Sequence, residues 1–102
     1  MAKVEVFAGI CGFNATIEAK NDSDKIKVTI TSECKWINKL ANDLQKVDSS
    51  EIFKTICDSI TYQTASKHVR HLACPVPCAI IKAIEVEAGL ALPKNVVMKI
   101  EK

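Results

Sequence analysis

Two periods run along this chain. Residues 3–8 and 13–20 alternate. In the second stretch Phe13, Ala15, Ile17 and Ala19 share one side of an extended backbone, and Asn14, Thr16, Glu18 and Lys20 share the other. That is the signature of a half-buried strand. The polar run Asn21-Asp22-Ser23-Asp24 is turn chemistry. Beyond it Ile26, Val28 and Ile30 alternate with Lys25, Lys27, Thr29 and Thr31, which predicts a third strand antiparallel to the second.

At Ser32 the spacing lengthens to that of a helix. Trp36, Ile37, Leu40, Leu44 and Val47 fall on one stripe with Lys35, Lys39 and Lys46 opposite, and Ser32 is the expected N-cap. Asp48 and Glu51 have capping-box spacing, so a second helix is expected there with the stripe Ile52, Phe53, Ile56 and Ile60 and a break near Ser59 to Thr61. Tyr62, Ala65, Val69 and Leu72 continue as a helical stripe up to Cys74-Pro75-Val76-Pro77. A residue before proline avoids the α region, whereas proline fits a first turn whose N–H groups have no intrahelical acceptor. The next helix therefore starts inside this motif, faces the core with Ile80, Ile81, Ile84 and Ala88, and stops at Gly89. Pro93 resets the chain, and Val96, Met98 and Ile100 alternate with Val97, Lys99 and Glu101 as a final strand. The expected order is βββ-ααα-β: one α+β domain over residues 1–102, with a largely antiparallel sheet and helices on one face.

Composition narrows the function classes. The chain has 102 residues, 48% hydrophobic and 25% charged, with a formal charge of +2. This is the balance of a globular domain, with no basic excess to attract nucleic acid and no apolar run long enough to span a membrane. The start of the chain carries no secretory pattern, so a cytosolic setting is expected. Five cysteines is a high count for such a chain, and an odd number excludes a complete intramolecular disulfide framework. Thiol or metal chemistry becomes the question.

Cys11 lies in Gly9-Ile10-Cys11-Gly12, the connection between the first two strands, where glycines let the backbone approach a bound group. Cys34 falls in the first turn of the helix after Ser32, and Cys74 opens the proline-started helix. Unpaired N–H groups at helix starts favour thiolate. If the turn and both helix starts open at the same end of the sheet, Cys11, Cys34 and Cys74 meet. Cys78, four residues after Cys74, is expected on the same side of the helix, and His71, three residues before Cys74, is a candidate nitrogen ligand. Cys57 is expected to pack in a helix core beside Phe53 and Ile60. No G-x-S-x-G, H-E-x-x-H, phosphate loop or C-x-x-C is present.

The order of Cys11-Gly12, Cys34 after the third strand and Cys74 before the helix Ala79-Ile80-Ile81-Lys82-Ala83-Ile84 resembles the NifU/IscU-type iron–sulfur cluster scaffolds. The resemblance implies three cysteine ligands for a cluster under assembly. Phe13 replaces the Asp common after Cys-Gly in that family, and Ala73 replaces its His, which implies a holder more than a releasing scaffold. The segment from His71 to Pro93 is also similar to a small prokaryotic family without assigned activity. The functional expectation is a metal-binding domain holding an iron–sulfur cluster or zinc through Cys11, Cys34, Cys74 and Cys78 or His71, exchanging it with a donor or acceptor protein. Two alternatives stand beside it. One is a thiol-redox protein in which Cys74 attacks and Cys78 resolves; the other is an interaction module with buried cysteines.

Overall fold

A computed structural model describes all of residues 1–102. The three alternating stretches form strands β1 (Ala2–Phe7), β2 (Asn14–Asp22) and β3 (Lys25–Ser32), and a short β4 (Lys46–Asp48) completes the sheet. The spatial order is β1-β2-β3-β4 and every pair is antiparallel. Helix α1 (Lys35–Asp43) lies between β3 and β4, and a 3-10 turn over Ser49–Phe53, then α2 (Ile60–His68) and α3 (Val76–Glu87), follow β4. The fold is α+β.

Alternation decides which face is covered. Ala15, Ile17 and Ala19 of β2 are buried together with Ile26, Val28 and Ile30 of β3, and they share a core with Ile37 and Leu40 of α1 and Val76, Ala79, Ile80, Ala83 and Ile84 of α3. Lys25, Lys27, Thr29 and Thr31 point to the uncovered face. Helix α3 lies on β1 and β2, and α1 on β3.

Helix α3 has the boundaries that its sequence encodes. Pro75 is the N-cap and Pro77 sits in the first turn. At the far end Gly89, at φ +75°, lets the N–H of Leu90 donate to the Glu85 carbonyl and its own N–H to that of Val86. This paired arrangement satisfies carbonyls that the helix leaves free.

Several expectations are corrected. Ser32 is not the N-cap of α1; Cys34 is, and the Ser32 hydroxyl accepts from the Cys34 N–H at 3.1 Å. The α1 stripe divides between two elements: the backbone leaves helical geometry at Leu44, and Val47 pairs with Ile26 in β4, so both side chains stay buried. The expected helix after Asp48 reduces to the 3-10 turn, which leaves Phe53, Ile56 and Cys57 exposed. The reason is Glu51. Its carboxylate is drawn inward to the start of α2, and the chain turns with both Asp58 N–H and Ser59 N–H donating to the Thr55 carbonyl. Helix α2 ends at His68, so Leu72 projects into solvent. Finally, the last β of βββ-ααα-β does not form: residues 92–102 hold no regular structure and every one is exposed. A strand exists only where a neighbour accepts its backbone bonds, and none borders this segment.

Candidate functional site

The turn between β1 and β2, the start of α1 and the start of α3 open at the same end of the sheet. The turn is closed by Ala8 N–H donating to the Phe13 carbonyl and Gly12 N–H to that of Gly9. Gly9 and Gly12 adopt φ of +92° and +77°, which other residues rarely do, and so carry the chain around Cys11. Helix α1 presents Cys34 at its N-cap, and Cys74 immediately precedes Pro75.

Cys11, Cys34 and Cys74 line one cavity of about 20 Å³. Its walls are apolar, built by Ala8, Phe13, Ile37 and Val76. Cys11 is exposed, while Cys34 and Cys74 are partly buried against the core. Burial pushes the Cys74 thiol above its ordinary pKa; the Val76 N–H, which bonds its thiolate, pulls the other way, and Cys11 and Cys34 push it up again as negative neighbours. Cys74 thus senses both of the other sulfurs across the cavity. No three His, Cys, Asp or Glu side chains are arranged to hold a metal ion. The thiols share a pocket without forming a coordination sphere.

The other two expected ligands lie elsewhere. Because Cys74 precedes the first helical residue, helical spacing does not carry it to the side of Cys78. Cys78 instead lines a groove of about 260 Å³ with Tyr62, Ser59, Ile81 and Lys82. Burial raises the Tyr62 hydroxyl above its usual pKa, and Cys78 adds to the shift. His71 belongs to the turn before α3, where its carbonyl accepts from the Cys74 N–H at 3.1 Å, but it does not line the thiol pocket. His68 bonds Asp43 at 2.5 Å, tying α2 to α1.

Sequence reasoning missed two contributors. The Val76 N–H was hidden because backbone donors leave no mark in side-chain patterns. Glu51 was visible, but assigned to its own helix start. It is 2% exposed and instead accepts from the Ser59 hydroxyl at 2.5 Å, Thr61 N–H at 2.8 Å and Ile60 N–H at 3.2 Å, beside the groove that holds Cys78.

A family model covers residues 2–100, the whole of the sheet and helices just described. The chain belongs to the family of unknown function DUF6951. No curated protein and no solved structure matches it. Within the DUF6951 match lie all five cysteines and the segment after α3 as far as residue 100. No helix is long and apolar enough to cross a membrane.

Proposed function

We propose that this DUF6951 protein binds a thiophilic metal centre through Cys11, Cys34 and Cys74. The observation that carries the reading is their common cavity, assembled from three segments remote in sequence. Thiolates are soft ligands suited to zinc and to iron–sulfur clusters. About 20 Å³ is room for one water-sized atom, and gathering the three thiols onto a single ion requires their side chains to move closer together. A cluster requires the exposed Cys11 turn to swing outward. Three thiolates leave a fourth ligand position for water or a donor or acceptor protein. The redox alternative has less support, because Cys74 and Cys78 line separate cavities.

The test is anaerobic purification with metal analysis and visible absorption spectra, followed by zinc titration of the metal-free protein. The expected result is one metal centre per chain, lost when Cys11, Cys34 and Cys74 are each replaced by Ser and kept in Cys57→Ser and Cys78→Ser. Metal-free protein that takes up no zinc and no reconstituted cluster overturns the reading.

A further inference from the structure

Strand β1 ends the sheet, paired with β2 on one side and with no strand on the other. Its helix-facing residues are Ala2, Val4 and Val6, and its solvent-facing residues are Lys3, Glu5 and Phe7. Lys3 and Glu5 lie together on the open face, 3.2 Å apart, and Phe7 is 63% exposed. Long open edges of this kind are strand-pairing templates. The segment 96–101, Val-Val-Met-Lys-Ile-Glu, alternates with strong strand formers, yet it makes no backbone hydrogen bond and holds Val97 and Ile100 at 76% and 92% exposure.

The geometry points to a reciprocal dimer in which segment 96–101 of one copy adds as an antiparallel fifth strand to β1 of a second copy. One register satisfies both faces. On the solvent face Lys99 opposes Glu5, Glu101 opposes Lys3 and Val97 opposes Phe7; on the helix face Ile100 opposes Val4, Met98 opposes Val6 and Val96 opposes Ala8. Opposite charges and apolar pairs directly across a ladder stabilise it, and like charges there destabilise it. A slip of two residues sets Lys99 against Lys3, or Glu101 against Glu5. A parallel alignment that keeps Lys99 beside Glu5 sets Glu101 against Phe7 and Val97 against Lys3.

Direction selects a second copy over the chain's own edge. Glu87, the last residue of α3, accepts from the Asn21 N–H at 2.9 Å, at the end of the sheet where Ala2 pairs with Ala19. The chain therefore leaves α3 at the start of β1, and a direct continuation along its own edge runs parallel to it. The antiparallel register is reached across a two-fold axis, where each copy gives a strand and receives one.

Two double variants test this: Lys3→Glu with Glu5→Lys on the edge, and Lys99→Glu with Glu101→Lys on the tail. The wild-type chain is expected to sediment as a dimer. Each variant alone sets like charges against each other at four positions per dimer and is expected to raise the dissociation constant at least about tenfold. An equimolar mixture of the two restores opposite charges at all four, so a heterodimer of near wild-type affinity is expected. Hydrogen exchange of residues 96–101 is expected to slow only in the dimer. A wild-type monomer at all concentrations, a dimer indifferent to both variants, a mixture that stays monomeric, or slow exchange of 96–101 in a monomer each overturns the proposal. The last outcome assigns the tail to its own chain.

Discussion

The Glu51 carboxylate accepts a hydrogen bond from the backbone N–H of Thr61 at 2.8 Å, ten residues further along the chain. With the Ser59 hydroxyl and the Ile60 N–H on the same carboxylate, the first turn of α2 is held by an acid from a different element. An anion at a helix start meets both the unpaired N–H groups and the positive end of the helix dipole. Glu51→Gln is expected to cost about 1–3 kcal/mol, since a buried donor loses its charged acceptor. Urea denaturation at neutral pH checks this, and a loss indistinguishable from zero contradicts the role.

The same carboxylate has a pH consequence. Burial alone raises its pKa, but the hydrogen bonds from Ser59, Thr61 and Ile60 outweigh burial and the folded value is lowered. Its contribution is therefore fully present above the unfolded carboxyl pKa and is lost as pH falls through the folded value. Below neutrality, wild-type stability is expected to drop more steeply than that of Glu51→Gln. Glu87 is lowered too, chiefly by the Asn21 N–H, so only the difference between the two acid limbs reports Glu51.

Cys74 is expected to alkylate slowly near pH 7 and to accelerate only above the range of an ordinary thiol, because its pKa is raised. Cys11→Ser and Cys34→Ser each remove a negative neighbour and move that rise part-way down; burial, the largest cause, is unchanged. Mass-resolved iodoacetamide labelling against pH measures it. A Cys74 rate unmoved by both variants removes the electrostatic coupling. Metal binding at these thiols must release protons, so zinc affinity is expected to rise with pH.

Gly89→Ala is expected to cost about 1 kcal/mol, because φ +75° is strained for a side-chain-bearing residue. Nothing lies within 4 Å of an added Cβ, so the cost is one of backbone alone. Thermal denaturation with no shift in Tm contradicts this account of the α3 stop.

Ile80→Ala is expected to cost about 2–5 kcal/mol, and Leu72→Ala to stay within about 0.5 kcal/mol of wild type. Ile80 is fully buried, whereas Leu72 stands in solvent although both belong to apolar stripes in the sequence. Denaturation midpoints compare the pair directly, and similar losses for both place Leu72 in the core.

Strands β1, β2 and β3 and the limits of α3 were legible because their determinants are local. Alternation faces Ile17 and Ile26 to the core, Pro77 and Gly89 act through their own backbone geometry, and each effect spans a few residues. The cysteine convergence was legible only as a conditional: the positions of Cys11, Cys34 and Cys74 at element ends are in the sequence, but which end each occupies in space is not. Cys78 misled because the i, i+4 rule applies inside a helix, and Cys74 stands just outside it. Phe53, Ile56 and Leu72 misled because an apolar stripe records what could be buried, whereas burial needs a surface to pack against.

The sequence by itself determined the strand periods, the β2–β3 turn, the limits of α3 and the presence of five thiols. The tertiary structure alone decided that Glu51 serves α2, that Val47 joins the sheet, that three thiols share one cavity, and that segment 96–101 lies without a neighbour. The physical reason is that the first set depends on bonds and sterics between residues adjacent along the chain. The second depends on distant segments competing for the same face, cavity or hydrogen-bond donor, and that competition is settled only when the whole chain packs.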